Sequence, residues 1–170
     1  MKKFIVITLL FSGFFLLNGE KALAGCYERG ETVIDNDHNG IDSSDNRYIG
    51  TWQYQTGGRS FRGDHRFAPI QDKNISYTWY FGRCDQYNAT LYVYLWDSSF
   101  TNPKAEYVMT NDQFKNSSFF INQQNAPGGW SKVGTSAYKG VNSVSVQQPF
   151  PSEIRTGGTG ADGAKLIYHK

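Results

Sequence analysis

The sequence predicts an all-β fold, a two-layer antiparallel β-sandwich of jelly-roll type that is preceded by a cleaved signal peptide. Aromatic residues make up 16% of the chain, and 18 glycines divide it at short intervals. Many short segments alternate between apolar and polar positions or are rich in β-branched and aromatic residues, as strands are. Outside the N-terminal region no stretch sustains helical periodicity, which favours a sandwich over a helical or mixed fold.

Residues 1–24 are predicted to be a secretory signal peptide. Two lysines begin it, an apolar run too short for a comfortable membrane span follows, and Ala22-Leu23-Ala24 supplies a small-residue cleavage site. The remaining residues, 25–170, are predicted to form one domain. Cleavage removes three lysines and one glutamate, so the formal net charge falls from +2 to zero. A neutral mature chain gives no electrostatic reason to expect a nucleic acid or an anionic membrane as a partner.

Two cysteines, Cys26 and Cys84, are present. An even number in an exported protein predicts one disulfide, which would stabilise the fold by roughly 3–4 kcal/mol. Leu23-Ala24-Gly25-Cys26 also matches a lipobox, in which an acylated Cys26 would anchor the protein to a membrane. Glu20 and Lys21 lie between the apolar run and the cleavage site, where burying charge is costly, so soluble secretion is preferred. Two free, buried thiols are the remaining alternative.

The predicted strands are separated by polar or Gly-rich turns. The Asp- and Asn-rich stretch 35–46 is expected to be a loop, Gly57-Gly58 to join a hairpin, 111–116 to contain one helical turn, and 157–160 to be a turn. In chain order the predicted strands cover residues 32–34, 47–54, 60–67, 75–81, 89–96, 105–109, 119–121, 133–138, 142–146 and 164–168.

The strongest predicted strand, 89–96, is apolar on both faces. Leu91, Val93 and Leu95 share one face, and Tyr92, Tyr94 and Trp96 share the other. Such a strand is either central and covered on both sides, or it exposes its aromatic face for binding. Sugars and other flat amphipathic partners stack on exposed rings. The candidate ligand platform is therefore Tyr92, Tyr94, Trp96 and Tyr80, whereas Trp79 and Trp130 are predicted to fill the core.

Four groups of motifs carry a family resemblance. In chain order they are Ile34-Asp35-Asn36-Asp37 with Gly50-Thr51-Trp52; Gly63-Asp64-His65-Arg66-Phe67-Ala68; Thr78-Trp79-Tyr80-Phe81 with Val93-Tyr94-Leu95-Trp96; and Gly129-Trp130 with Val133-Gly134 and Ala161-Asp162. In this order and spacing they resemble the golvesin C-terminal-like domain, a β-sandwich of secreted bacterial proteins. His65 and Phe67 stand where that family usually has tyrosines, and Gly163-Ala164 where it has Ala-Val.

The resemblance implies an accessory, non-catalytic module of the kind attached to exported polysaccharide lyases, peptidases and other hydrolases. Because the predicted domain accounts for residues 25–170, no enzyme is expected beside the module in this sequence. The expectation is therefore a free binding protein or a surface-structural protein.

One stretch offers ligands for a cofactor. Asp35, Asp37 and Asn39 alternate and are followed by a glycine, as in the first half of a calcium loop, and Asp42 would add another oxygen. Asn46 occupies the position at which an EF-hand has its bidentate Glu, and no helices flank the loop. The alternative is an Asx-rich turn whose side chains cap backbone N–H groups.

Other short motifs are weaker. Arg62-Gly63-Asp64 spells the integrin-binding tripeptide, but it falls in a predicted strand, where Asp64 is expected to pair with Arg66 or with the backbone. No histidine lies near a serine in a recognisable nucleophile turn. The Gly-rich stretch 157–160 lacks the lysine of a phosphate loop.

The sequence therefore predicts a secreted, non-enzymatic β-sandwich that binds carbohydrate or another cell-envelope or matrix component. One alternative is a self-associating surface protein that uses the same rings for protein contacts. A hydrolase is the other, and it requires converging carboxylates or a histidine-containing site. Its candidate residues are Asp64, His65, Arg66 and Asp162, and their burial with hydrogen bonds to the backbone would argue against it.

Overall fold

The computed structural model describes residues 30–36, 46–70, 74–82, 86–148 and 157–169. The predicted signal peptide, both cysteines and Asp37, Asn39 and Asp42 lie outside these ranges. The described strands are β1 (Glu31–Ile34), β2 (Asn46–Ile49), β3 (Gln53–Thr56), β4 (Asp64–Ala68), β5 (Ser76–Tyr80), β6 (Asn88–Tyr94), β7 (Ala105–Asn111), β8 (Asn116–Ile121), β9 (Trp130–Thr135), β10 (Val141–Gln147), β11 (Thr159–Ala161) and β12 (Ala164–His169); a single 3-10 turn (Phe61–Gly63) precedes β4.

Two large sheets form a sandwich. Their strand orders are β1-β12-β6-β9 and β2-β5-β10-β7-β8, and the strand pairs in both are antiparallel. If β2 is treated as an added edge strand, the remaining eight strands follow the order of two interleaved Greek keys, which is a jelly roll. The predicted all-β, jelly-roll-like sandwich is confirmed.

A third, small sheet of order β11-β4-β3 is not anticipated by the sequence. It arises because the predicted strand 47–54 is divided in two. Gly50 has a φ of +87°, a conformation that favours glycine, and it turns the chain out of the five-stranded sheet after β2. Trp52 is buried at this corner, and its Nε1 donates to the Ile49 carbonyl at 3.1 Å. The predicted hairpin at Gly57-Gly58 therefore joins β3 to β4.

Two predicted turns differ from the structure. Residues 111–116 form the β7–β8 hairpin turn, in which Asn111 Oδ1 accepts the N–H groups of Gln113 and Lys115 at 3.0 and 2.9 Å. The predicted turn at 157–160 contains the start of β11. Its glycines serve close packing, since a Cβ on Gly160 would lie 2.1 Å from Phe100 Cδ1.

The hydrophobic core lies between the two large sheets. It is built from alternate positions of the paired strands, as the two-residue side-chain period requires. Trp79 is only 1% exposed, which confirms its predicted place in the core, and its Nε1 donates to the Asp162 carbonyl at 3.0 Å. The largest fully buried apolar side chains are Trp79, Tyr77, Tyr107, Phe100, Leu91, Met109, Leu166, Val93, Val141, Val144 and Val146.

Candidate functional site

The outer face of the four-stranded sheet, called here the aromatic face, carries the predicted rings of β6. Leu91, Val93 and Leu95 point into the core, so the alternate side chains point outwards. Tyr92 and Tyr94 are half-buried on this face, and Trp96 is 48% exposed. The ring centroids of Tyr94 and Trp96 are 6.2 Å apart. Three of the four predicted platform residues are therefore brought together.

Two further rings complete this group. The β6–β9 register places Trp130 directly beside Tyr94, with centroids 5.4 Å apart and ring planes at 82°. Phe61, from the 3-10 turn, lies 5.1 Å from Trp130 and 5.5 Å from Tyr94. Aromatic pairs in such edge-to-face and tilted arrangements stabilise one another. We call Phe61, Tyr92, Tyr94, Trp96 and Trp130 the aromatic cluster.

The prediction that Trp130 fills the core is wrong. Trp130 is half-buried on the outer face because the neighbouring Ser131, at 5% exposure, takes the inward position of β9. An inward serine gives no hydrophobic signal in the sequence. The alternation of Trp130 and Lys132 was the available clue to the outward face. Phe61 gave no such clue, since it reaches the cluster from a turn.

Tyr80 does not belong to this platform. It lies at the end of β5 in the five-stranded sheet, on the opposite side of the sandwich, and is 41% exposed there. The guanidinium of Arg47, from the neighbouring β2, lies 5.7 Å from its ring centroid. The sequence offers Tyr80 as a platform ring but does not show which sheet carries it.

Two lysines flank Tyr92 across the sheet. The register aligns Lys132 of β9, Tyr92 of β6 and Lys165 of β12 in one row. Lys165 Nζ lies 4.7 Å from the centroid of Trp130 and 5.4 Å from that of Tyr92. Within the described ranges, no carboxylate oxygen lies within 4.0 Å of either ammonium group; the ion pair found there is Arg62 with Asp35, at 3.9 Å.

Trp96 is supported from behind by the turn before β9. Leu95 N donates to the Gly129 carbonyl at 2.9 Å, which brings residue 128 against the indole. A Cβ at Gly128 would lie 2.8 Å from Trp96 Nε1, closer than such contacts normally occur. The absence of a side chain at residue 128 therefore allows Trp96 to pack closely against the backbone.

Asp162 is buried beneath the aromatic cluster and holds the 3-10 turn that carries Phe61. Its Oδ2 accepts the N–H of Phe61 at 3.0 Å, and its Oδ1 accepts that of Gly163 at 2.9 Å. Burial raises the pKa of Asp162 to about 8, with a further contribution from the nearby carboxylates of Asp35 and Asp64. The group that positions Phe61 is thus a carboxyl that favours its neutral form.

The other residues considered for catalysis are also buried. Asp64 accepts hydrogen bonds from Asn36 Nδ2 at 3.0 Å and from the Tyr54 hydroxyl at 3.4 Å. With 5% exposure, Asp64 is not presented to solvent, so Arg62-Gly63-Asp64 is not displayed as an adhesion tripeptide. Arg66 is 7% exposed, and its guanidinium lies 5.3 Å from the Tyr54 ring centroid.

His65 supports the turn before β4. Its Nε2 donates to Gln55 Oε1 at 3.1 Å, so its Nδ1 accepts the Ser60 hydroxyl at 2.7 Å. Burial lowers the pKa of His65, although the Asp97 and Asp64 carboxylates oppose that shift. The neutral imidazole therefore links Ser60 to Gln55 of β3.

The calcium prediction falls mostly outside the described residues, which include only Asp35 of its four ligands. Asp35 forms the ion pair with Arg62, and its backbone carbonyl accepts Asn46 Nδ2 at 2.9 Å. In the described part of the chain, no three His, Cys, Asp or Glu side chains are grouped to hold a metal ion. Calcium binding by Asp35, Asp37, Asn39 and Asp42 stays a prediction, as does the Cys26–Cys84 disulfide.

Neither a protein-family model nor a curated protein sequence matches the chain. Solved structures do resemble it. A xanthan lyase from Paenibacillus matches with a TM-score of 0.60 and 18% identity, over 82% of this chain and 13% of the lyase chain. The K1 cleaved adhesin domain of Lys-gingipain from Porphyromonas gingivalis W83 matches with a TM-score of 0.44 and 10% identity, over 81% of this chain and 95% of that domain. The lyase match supports the fold, and this chain spans only a small part of the lyase's length.

None of the residues placed by the structure form a helix that is both long and apolar enough to cross a membrane.

Proposed function

We propose that this protein is a secreted, non-catalytic β-sandwich that binds carbohydrate of the cell envelope or matrix through the aromatic face. The observation that carries the proposal is the contact among rings around Trp96, which is 48% exposed while Tyr94 lies 6.2 Å away and joins it to Trp130. Exposed rings in mutual contact form a firm apolar surface, which suits the apolar face of a sugar ring.

Pre-organisation is the physical advantage of this surface. Trp96 lies against the backbone of Gly128, and Trp130, Phe61 and Tyr94 each contact the other two rings. Because these rings are already ordered, a ligand that stacks on them costs little additional side-chain entropy. Tyrosine and tryptophan also present polar edges that can hydrogen-bond sugar hydroxyl groups.

Two considerations support the accessory, non-catalytic part of the proposal. Asp64, His65 and Asp162 are each buried and engaged in hydrogen bonds that hold the turn and small sheet together. The likeness in fold to a domain-sized part of a xanthan lyase, together with the sequence resemblance to golvesin-like domains, is compatible with a module of the kind found beside exported hydrolases.

The test is binding to a panel of polysaccharides, followed by tryptophan fluorescence and confirmed by calorimetry. Trp96→Ala should weaken binding by about tenfold, the value of one good stacking contact. Tyr80→Ala is the matched control, because Tyr80 is exposed to a similar degree on the opposite side. If no member of the panel binds, or if Tyr80→Ala weakens binding as much as Trp96→Ala, the proposal is wrong.

A self-associating surface protein is the second candidate. It is favoured by exposed apolar residues on the edge strand β2, where Ile49 is 67% and Tyr48 40% exposed. Edge strands with apolar side chains are common sites of pairing between chains. Ile49→Lys should then abolish concentration-dependent light scattering, whereas a wild-type protein that stays monomeric at high concentration would exclude this candidate.

A further inference from the structure

We infer that the carbohydrate bound by the aromatic face is acidic, carrying carboxylate or sulfate groups that contact Lys132 and Lys165. This inference rests on the proposed function and specifies its ligand class. It comes from the charges that accompany the rings, and the rings alone would suit a neutral sugar equally well.

The position of Lys165 is fixed by its neighbours. Its ammonium lies over Trp130 at 4.7 Å and over Tyr92 at 5.4 Å, so two rings of the cluster hold one cation. Cation–π contact attracts the ammonium without neutralising it and without accepting its N–H groups in strong hydrogen bonds. The positive charge therefore stays available to an incoming anion.

Lys132 extends the same row on the other side of Tyr92. Because Lys132 and Lys165 are aligned on strands that both neighbour β6, their backbones stand about 10 Å apart across the sheet. Lys132 is exposed, and the described residues place no carboxylate oxygen within 4.0 Å of either lysine. Two unneutralised cations thus bracket the Tyr92 ring, on the same face that carries the exposed Trp96.

This charge pattern is local, and that favours a glycan over other polyanions. The formal net charge of residues 25–170 is zero, so the protein as a whole does not attract polyanions. Nucleic acids are bound through many phosphate contacts, whereas this face offers two aligned lysines. Stacking and two ionic contacts together match a polymer in which sugar rings carry anionic groups at intervals.

The experiment compares acidic polymers with their neutral counterparts, using the full chain. The probes are polygalacturonate against its carboxyl-reduced form, and dextran sulfate against dextran, with single-stranded DNA as a further polyanion. We expect at least one acidic polymer to bind more tightly than its neutral partner, and binding should weaken as NaCl rises from about 0.05 to about 0.5 M. Binding of polygalacturonate would identify carboxylate as the recognised anionic group, and binding of dextran sulfate would identify sulfate.

Three substitutions locate the effect. Lys132→Gln and Lys165→Gln should each weaken binding of the acidic polymer by about three- to fivefold, the usual range for one exposed ionic contact, while Lys165→Arg should retain it. Lys104→Gln is the matched control, because Lys104 Nζ also lies 5.0 Å from an exposed ring, that of Phe120, on the other large sheet. Lys104→Gln should leave binding unchanged.

The outcomes separate this inference from the proposed function. Equal, salt-independent binding of acidic and neutral polymers would overturn the inference and leave carbohydrate binding intact. Binding of neither would overturn both. Equal loss in Lys104→Gln and Lys165→Gln, or equal binding of single-stranded DNA, would show a nonspecific response to polyanions and would also overturn the inference.

Discussion

The two outer faces of this sandwich follow the same alternation but arrange their exposed side chains differently. On the five-stranded sheet, hydroxyl and amide groups pair across strands, with Thr78 Oγ1 2.9 Å from Ser145 Oγ and Gln147 Nε2 donating to Glu106 Oε2 at 2.9 Å. Its outer face carries the exposed rings of Tyr80 and Phe120, which lie on different strands. On the four-stranded sheet the rings contact one another.

This difference indicates which features distinguish the proposed binding surface from the opposite face. Cations lie over rings on both faces. On the outer face of the five-stranded sheet, called here the polar face, Arg47 lies over Tyr80 and Lys104 over Phe120. Exposure is also similar, since Phe120 is 52% and Trp96 48% exposed. Of these two outer faces, as far as the structure describes them, the aromatic face is the one that combines ring-to-ring contact with a lysine shared by two rings. Contact among the rings, and not exposure or a single cation, distinguishes it.

The largest expected difference between the faces is in stability. Trp130→Ala removes contacts with Phe61, Tyr94 and Lys165, and we expect it to lower the free energy of unfolding by about 2 kcal/mol, less than for a fully buried tryptophan. Phe120→Ala on the polar face should cost less than about 0.5 kcal/mol. Urea unfolding of both variants tests this. Equal losses would mean that the cluster is no more tightly packed than an isolated surface ring.

The pH dependence of stability should also originate on the aromatic side. The pKa of Asp162 is about 8 in the folded protein, against its ordinary value of 3.8, so the folded state binds this proton more tightly than the unfolded chain. The contribution of Asp162 to the free energy of unfolding therefore falls as pH rises from the lower to the higher of these two pKa values. Above about pH 8 this contribution is lost. His65, whose pKa is lowered from 6.5, has the opposite effect, and that effect is complete above about pH 6.5.

Between about pH 6.5 and 8.5 the Asp162 contribution to stability still changes with pH, whereas the His65 contribution is already complete. The free energy of unfolding of the wild-type protein should fall by about 1–2 kcal/mol over this window, because Asp162 ionises. In Asp162→Asn, whose side chain stays neutral, it should fall much less. Urea unfolding across the window measures the difference. Parallel curves for the two proteins would show that the Asp162 carboxyl is ionised at neutral pH and holds Phe61 as a carboxylate.

Sequence reasoning recovered most of the fold because strand signals are local. The alternation of residues 89–96 placed Leu91 and Val93 inside and Tyr92 and Tyr94 outside, as observed. It missed the break at Gly50, because a single residue with positive φ divides a run whose composition is strand-like throughout. The small sheet that follows from this break depends on pairings distant in sequence, such as β11 with β4.

The site was recovered less completely, for a different reason. Which rings meet is decided by strand register and by turns, and neither has a local signature. The sequence predicts Tyr80 as part of the platform because its ring is aromatic, yet its strand belongs to the other sheet. The sequence predicts Trp130 in the core because tryptophans are usually well buried, yet its register with Tyr94 places it outside. Lys165 became relevant only through its distance to both rings.

A smaller effect, on glycan affinity, is expected from a substitution at Gly128, where the backbone supports Trp96. Gly128→Ala would place a methyl group 2.8 Å from the indole nitrogen, and the half-exposed ring would have to move outwards. We expect glycan affinity to fall by about threefold to tenfold with little change in stability, because the ring can shift without opening the core. Gly58→Ala is the control, since a Cβ there meets no atom within 4 Å. Unchanged affinity in Gly128→Ala would show that glycan binding does not depend on the position of the Trp96 ring.

The smallest effect is expected on the polar face. Thr78→Val removes the hydroxyl that bonds Ser145 but keeps the shape of a β-branched side chain, and the half-exposed Ser145 can bond water instead. Stability should change by less than about 0.5 kcal/mol, and binding of the acidic polymer should not change. Chemical denaturation and calorimetry measure the two quantities. A clear loss of affinity in this variant would place the ligand on the five-stranded sheet, because Thr78 and the aromatic cluster lie on opposite sides of the core.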